Sequence, residues 1–209
     1  MNLQETTAAE DALLPTQAPV MFLRDSVLLP HTHVPLFIFE PRYRAMLAYA
    51  LEHDRMFCLA MMKPLVSEVR TPDDYHHVCG IGLVRACVGH DDGTSHLVLQ
   101  GLARVELGDL IQQKPFYLAP VRRLEERIRQ GDGIRDLMTE VLQLCRAIVP
   151  DADEGHDEIA KITHPGYFAD TVAHGFLRDP VRQQEVLESF EITRRLNALV
   201  RALKEQAPE

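Results

Sequence analysis

Between residues 19 and 124, short apolar runs alternate with glycine, proline and aspartate. Runs of this length, bounded by residues that interrupt regular structure, are typical of β-strands. The candidate strands are residues 20–23, 27–29, 34–39, 56–61, 78–88, 96–100, 105–107 and 116–121. Several of these runs are apolar on both faces, which favours a small closed or nearly closed barrel over an open sheet.

The segment from residue 78 to residue 107 carries a hairpin signal. Asp92-Gly93 lies between two apolar runs, and Asp-Gly favours the positive φ angles of a tight turn. Gly101 is predicted to break the returning strand. His90 and His96 flank the turn, so a hairpin would allow their rings to face each other.

One helix interrupts the strands. Pro41 suits the first helical turn. The apolar residues that follow it at spacings of three and four are Tyr43, Met46, Leu47 and Ala50. This spacing predicts an amphipathic helix with one buried stripe.

After residue 124 the apolar period changes to that of helices. Residues at spacings of three and four are Ile134, Leu137, Met138, Val141, Leu142, Cys145, Ile148 and Val149, and Pro150 follows them. Further helices are predicted around residues 158–162, from Pro165, from Asp179-Pro180, and through Ile192, Leu196, Leu199 and Leu203. We therefore predict an α+β protein: a disordered tail at residues 1–18, a β-rich domain at 19–124 and a helical bundle at 125–209.

Charge and cysteine usage narrow the partners and the compartment. The chain carries 31 acidic against 22 basic residues, a net charge of -9, which argues against a nucleic-acid partner because Lys and Arg bind phosphates. Its four cysteines are dispersed in apolar runs, as reduced structural thiols are. The sequence shows neither a signal peptide nor a run of about 20 apolar residues, so we expect a cytoplasmic protein without a membrane partner.

The polar residues form no recognised catalytic or metal-binding motif. The chain has no Gly-Lys dipeptide for a phosphate-binding loop, and no serine lies in a G-x-S-x-G motif. The G-x-G at residues 80–82 lacks a third glycine, and we interpret it as a packing feature. Pairs such as His31 with His33, or His90 with His96, fall short of the three or four ligands of a metal site. We predict a protein that is not an enzyme and uses neither a metal nor a cofactor.

Residues 34–47, VPLFIFEPRYRAML, form the most distinctive segment of the chain. They closely resemble the PL-x-IFE-x-RY-x-x-M signature of the LON substrate-binding domain, the N-terminal domain of Lon proteases. The family's other segments follow in order: an apolar run with Pro30 before the signature, a strand at 80–84, the Asp-Gly hairpin, a G-x-x-R strand at 101–104 and a diverged KQ-x-LLE helix at 182–188. The resemblance covers roughly residues 19–203.

The signature residues in this chain are Phe39, Glu40, Pro41, Arg42, Tyr43 and Met46. Glu40 and Arg44 are four residues apart, in the order that favours a helical ion pair. Phe39 and Tyr43 are likewise one turn apart, as core packing requires. We expect these residues to determine the fold rather than to contact a ligand.

The resemblance implies a PUA-like β pseudo-barrel followed by a helical bundle, in agreement with the change of period. In full-length Lon proteases this region precedes an ATPase module and a Ser–Lys peptidase, and it helps to engage substrate polypeptides. Neither module occurs in this sequence. The resemblance therefore implies a recognition domain standing alone, for which any ATPase or protease partner would be a separate protein.

Three functions remain open. The first is a non-catalytic module that binds exposed apolar segments of partly unfolded polypeptides, with candidate contacts at Leu36, Phe37, Met61 and Met62. The negative charge favours neutral or basic clients. The second function is a scaffold or self-association domain, in which an exposed face of the bundle forms a homodimer. The third is a metal-dependent enzyme that uses the histidines and aspartates of the hairpin.

Overall fold

The structure is a computed structural model that describes residues 14–113, 115–128, 133–150 and 153–206. Its strands are β1 (Gln17–Leu23), β2 (His33–Ile38), β3 (Met56–Met61), β4 (Val78–Gly89), β5 (Ser95–Leu107), β6 (Ile111–Gln113) and β7 (Phe116–Arg123). Its helices are α1 (Pro41–Glu52), α2 (Ile134–Ile148), α3 (Asp153–Ala160), α4 (Pro165–Phe176), α5 (Pro180–Glu188) and α6 (Ile192–Gln206). The predicted α+β order is confirmed, since α2 to α6 all follow the last strand.

The predicted tail lies mostly outside the described residues, which begin at Leu14. Its last two residues differ from the expectation. Gln17 and Ala18 belong to β1, and Ala18 is fully buried. The first strand of the barrel therefore begins two residues before the predicted end of the tail.

The strands form one mixed sheet that closes on itself. The strand order is β2-β5-β4-β3-β1-β7-β6, and an additional pairing of β5 with β7 closes β1, β3, β4, β5 and β7 into a ring. β1 and β3 are parallel, whereas the other pairs are antiparallel. The ring confirms the β pseudo-barrel that the resemblance implied. β2 extends the ring from β5, so one of its edges lies at the end of the sheet.

Alternate residues of the ring strands pack into two apolar clusters. On β1, Val20 and Phe22 belong to one cluster and Met21 belongs to the other. On β3, Cys58 belongs to the first cluster and Phe57 belongs to the second. The second cluster also takes up the buried face of α1. Burial on both faces explains why the strand runs are apolar throughout.

Helix α1 packs the predicted stripe against the ring. Its buried residues are Tyr43, Met46, Leu47 and Ala50. The Tyr43 hydroxyl donates a hydrogen bond to the carbonyl oxygen of Phe22 (2.8 Å) and accepts one from the N–H of the same residue (3.2 Å). Burial raises the pKa of Tyr43, so its phenol stays protonated and joins α1 to β1.

Two details of the signature segment differ from the prediction. Glu40 pairs with Arg42 instead of Arg44, with 2.8 Å between Arg42 Nε and Glu40 Oε2. Glu40 is the N-cap of α1 and has an extended backbone (φ -66°, ψ 133°), so helical i,i+4 geometry does not apply to its side chain. Phe39, which we expected in the core, precedes the helix and has 57% of its surface exposed.

Residues 27–29 are buried but form no strand, contrary to the prediction. Leu28 and Leu29 instead cross the sheet at two glycines. A Cβ atom at Gly80 would lie 2.0 Å from the carbonyl oxygen of Leu28, and one at Gly101 would lie 2.1 Å from that of Leu29. The glycines permit this close approach, which agrees with our interpretation of residues 80–82. Gly101 does not break the strand as predicted, since β5 continues through it from Ser95 to Leu107.

Helices α2 to α6 pack around a core that reaches the barrel. Val141, Phe168 and Leu196 are buried in it, together with Leu29 and Met61 from the strand half. The two halves of the chain thus share apolar packing across their boundary. No helix in the described part of the chain is long and apolar enough to cross a bilayer.

Two arginines and two carboxylates lie where the barrel meets the helices. We call Arg104, Glu126, Asp170 and Arg195 the junction cluster. Arg104 Nη1 lies 2.8 Å from Asp170 Oδ2, and Arg104 Nη2 binds Oδ1 of the same carboxylate. Arg195 Nη1 binds Glu126 and lies 3.6 Å from Asp170 Oδ1. Since Arg104 is on β5, Asp170 on α4 and Arg195 on α6, the cluster joins the barrel to the bundle.

We expect Glu126 to contribute to the pH dependence of stability. Burial opposes its ionisation, but Arg195 and Arg104 outweigh that effect and lower the pKa of the carboxyl below its ordinary 4.5. A carboxyl with a lowered folded-state pKa stabilises the fold above its unfolded-state pKa, and this contribution is lost as the pH falls through the folded-state pKa. Glu126→Gln should therefore lower the free energy of unfolding at neutral pH and change it far less at about pH 3.

Urea unfolding curves at the two pH values measure this effect. Glu125→Gln is the matched control, because the neighbouring Glu125 side chain is 82% exposed and contributes little through its ion pair. A loss of stability in Glu126→Gln that is the same at both pH values would contradict the prediction.

Candidate functional site

The side chains of β2 alternate between the core and solvent. Val34, Leu36 and Ile38 face the core side, and Ile38 is only 3% exposed. Pro35 and Phe37 face outward, and 49% of the Phe37 surface is exposed. The alternation follows from the two-residue period of an extended strand. It gives β2 an outer face that is apolar and open to solvent.

An aromatic row runs across this outer face. We define the aromatic row as Phe39, Phe37, His96 and His90. The ring centroids of Phe37 and Phe39 are 5.8 Å apart, and those of Phe37 and His96 are 4.6 Å apart. His90 Nε2 lies 2.8 Å from His96 Nδ1, so these two rings meet as predicted, with their planes nearly perpendicular (88°). Ring pairs of this kind stabilise one another while leaving ring faces exposed.

Strand pairing places further apolar side chains beside the row. His96 on β5 is the partner of Phe37 on β2 and of Val88 on β4. Val88 is 61% exposed. A groove of about 400 Å³ lies along the three strands. It is lined by Pro35, Leu36, Phe37, Ala86, Cys87, Val88, His96, Leu97 and Val98.

The hairpin turn fixes one end of the row. Asp92 accepts hydrogen bonds from the N–H (2.9 Å) and the hydroxyl (2.7 Å) of Thr94. These bonds lower the pKa of Asp92, and the nearby His90 and Arg44 add to the effect. A Cβ atom at Gly93 would lie 1.8 Å from Arg44 Nη2, so the guanidinium of α1 rests against the turn. The turn, with φ 79° at Gly93, is the predicted Asp-Gly hairpin.

The four residues predicted to contact polypeptides do not come together. Leu36 and Phe37 line the groove. Met61 and Met62 are 2% and 7% exposed, and each belongs to a separate apolar cluster. Met61 ends β3, and Met62 follows it in an isolated bridge with Tyr75, so both methionines are core residues and do not form an adaptable surface. The candidate site therefore keeps Leu36 and Phe37 and leaves out both methionines.

The histidines and aspartates of the hairpin do not assemble into a metal site. Across the described ranges, no group of three or more His, Cys, Asp or Glu side chains converges closely enough to hold an ion. His90 and His96 are turned towards each other, and Asp92 is bound to Thr94. The geometry of this face therefore favours apolar contact with a binding partner over the metal chemistry that the sequence had also suggested.

Comparison with known protein families assigns the chain to one of them. The sequence profile of the ATP-dependent protease La (LON) substrate-binding domain matches residues 17–205. The chain belongs to the Lon substrate-binding domain family. The Lon signature at residues 34–47 supplies β2 and the start of α1, so it contains both the outer face of β2 and the buried Tyr43.

Curated relatives of this Lon domain are Lon proteases. The chain is 25% identical over 200 residues to the Lon protease of Dictyoglomus thermophilum, with 94% of the chain and 25% of the relative covered. It is 29% identical over 186 residues to the Lon protease of Azospirillum brasilense, with 85% of the chain and 22% of the relative covered. The chain thus spans about a quarter of the length of the curated relatives it matches.

Solved structures of Lon N-terminal domains share the fold. The N-terminal domain of the Mycobacterium avium complex Lon protease matches with a TM-score of 0.75 at 22% identity, covering 90% of this chain and 98% of that one. The Lon N-terminal domain protein of Xanthomonas campestris matches with a TM-score of 0.64 at 18% identity, with the same coverage of both chains. The order of barrel and helices in this Lon domain is therefore that of the family.

Sequence reasoning missed several members of the site, among them Phe39, Val88 and His96. Phe39 was assigned to the core, while Val88 and His96 were not considered as apolar contacts. Their proximity depends on the register that pairs Phe37 with His96 and His96 with Val88. The two-residue period of a strand would put Phe37 and Phe39 on the same face, but it does not show which face is exposed.

Proposed function

We propose that this Lon domain is a non-catalytic module that binds exposed apolar segments of partly unfolded polypeptides along the aromatic row and groove. The observation that carries the proposal is a concentration of exposed apolar side chains. Phe37, Phe39 and Val88 share one face, beside a groove of about 400 Å³. Contiguous exposed apolar surface of this kind marks interaction sites, and the family description as a substrate-binding domain supports it.

The composition of the surface suits varied clients. Phenylalanine and histidine rings offer large rigid faces with few rotatable bonds, so little entropy is lost when they are covered. The net charge of -9 favours neutral or basic segments. We also propose that clients bound by this domain are delivered to an ATP-dependent protease, because the relatives it matches are Lon proteases.

Replacing both Phe37 and Phe39 with serine should weaken the binding of an unfolded client at least about tenfold. Both side chains are about half exposed, so the loss falls mainly on client contact and less on the fold. Truncating aromatic residues at the centre of an interface typically costs more than about 1 kcal/mol each. The measurement is fluorescence anisotropy of labelled β-casein, an unfolded protein, titrated with the full chain.

Leu65→Ser is the matched control, because Leu65 is fully exposed and does not line the groove. It should bind the client as the parent chain does. Thermal unfolding of each variant verifies that the fold is retained. Equal binding by the double variant and the parent chain would overturn the proposal, as would crosslinks to the client that map away from β2 and β5.

A further inference from the structure

Strand β2 has one free edge. Within the part of the chain that the structure describes, β2 pairs with β5 alone. Pro35 has no N–H, so it fits a regular ladder only where its nitrogen faces away from β5. The N–H of Gly101 on β5 donates to the carbonyl oxygen of Thr32 (2.9 Å), and ladder bonds of an antiparallel pair recur at every second residue. They therefore continue at Val34 and Leu36, and Pro35 falls between them.

The intervening residues direct their backbone groups to the free edge. His33 and Phe37 each present an N–H and a carbonyl there, and Pro35 presents a carbonyl alone. Such an edge is a template for one more strand. A residue added opposite Phe37 would have its Cβ about 5 Å from the Cβ of Phe37, within reach of the exposed ring.

Apolar surface is available to both faces of an added strand. One face would continue the outer face of β2, at Phe37 and Phe39. A second hollow, of about 80 Å³, lies at the Phe39 end of β2 and includes the inward-facing Leu36 along with Leu23 and Tyr43. Since the side chains of a strand alternate, both sets of a bound segment would find apolar contacts.

We propose that the client segment binds as an added β-strand along the free edge of β2. This inference rests on the proposed function and specifies how the client is held. Two copies of β2 paired edge to edge would lack the Pro35 N–H on both sides, whereas a client strand meets that gap once. An extended, apolar, neutral or basic client is therefore the better occupant than a second copy of this chain.

The test uses the full chain and a labelled, capped heptapeptide of sequence KTVFVTK. Two further versions are N-methylated at the odd or at the even positions, so that each loses its donors on one edge only. In strand addition, the backbone N–H groups on only one edge of the peptide form hydrogen bonds with β2. One methylated version should therefore bind at least about tenfold more weakly than the parent peptide, and the other within about threefold.

The outcomes separate this inference from the proposed function. Equal binding by the two methylated versions, while the parent peptide binds, would overturn strand addition and leave apolar recognition intact. Absence of binding by the parent peptide at millimolar concentration, together with wild-type client binding by the Phe37 and Phe39 double variant, would overturn the proposed function itself.

Pro35→Val supplies a second measure, because it restores the missing donor on the edge. Binding of the parent peptide should tighten by about 2- to 10-fold, the usual gain from one hydrogen bond. Pro64→Val, in an exposed loop, is the matched control and should bind unchanged. Unchanged or weaker binding by Pro35→Val would count against strand addition. Elution of the parent chain as a dimer that the peptide fails to dissociate would assign the edge to a second copy and overturn the proposal.

Discussion

Replacing Asp170 with asparagine is expected to lower the free energy of unfolding by about 3–5 kcal/mol. The Asp170 side chain is 1% exposed and binds both terminal nitrogens of Arg104, which is itself 2% exposed. Asparagine keeps the shape but removes the charge, so Arg104 and the fully buried Arg195 would share only the Glu126 carboxylate. An uncompensated buried guanidinium is costly because water no longer solvates it. Urea unfolding at neutral pH measures the loss.

Glu106→Gln provides the matched control, since it makes the same chemical change in an exposed ion pair. Glu106 binds Arg122, and their side chains are 43% and 67% exposed. Such pairs contribute about 0–1 kcal/mol, so this variant should unfold almost as the parent chain does. A similar loss in both variants would show that the effect belongs to the substitution and not to burial. An Asp170→Asn variant as stable as the parent would contradict the role given to the junction cluster.

The role of Asp170 could not be read from the sequence. The sequence predicted a helix that begins at Pro165, and an aspartate in an amphipathic helix is usually on the solvated face. Its burial depends on Arg104, which is 66 residues earlier and reaches it only after the barrel and bundle meet. The resemblance had marked Arg104 through the G-x-x-R strand, but a motif does not name a partner. Long-range ion pairs of this kind become visible only in three dimensions.

Local periodicity, by contrast, predicted the elements whose buried face is determined by spacing within a short segment. The stripe of α1 and the Asp-Gly hairpin of β4 and β5 are confirmed. The stripe of α6 is also buried. Each depends on contacts within a short segment, where spacing decides which face is covered. The three-residue strand β6 was missed, because its Gln112 and Gln113 carry no apolar alternation.

Only some of the residues chosen from the sequence lie at the candidate site, because local spacing does not reveal where a strand lies in the sheet. Phe37 was chosen together with Leu36, Met61 and Met62 as an apolar residue near a strand end. Phe37 is about half exposed, whereas both methionines are buried. A run that is apolar on every residue does not reveal whether one face or both faces are covered. β2 lies at the end of the sheet and keeps a solvated face, whereas β3 lies within the ring. Position in the sheet, which the sequence does not state, decided between them.

The second large effect is expected at the crossing of the sheet: Gly80→Ala should lower the free energy of unfolding by about 1–3 kcal/mol or more. The added Cβ would lie 2.0 Å from the carbonyl oxygen of Leu28 and 2.8 Å from its Cβ. Leu28 is fully buried, and Gly80 is held between Leu59 of β3 and Arg104 of β5, so neither backbone can yield freely. Thermal or urea unfolding measures the change.

Gly175→Ala separates this steric effect from the chemistry of the substitution. Gly175 lies in α4, and nothing is within 4 Å of the Cβ that alanine would add. Alanine in a helix is favoured over glycine by roughly 0.5–1 kcal/mol, so this variant should be slightly more stable than the parent chain. The same substitution is therefore expected to change stability in opposite directions at the two positions. A Gly80→Ala variant as stable as the parent would mean that the segment at Leu28 does not approach the sheet as closely as described, and that the G-x-G of β4 has another role.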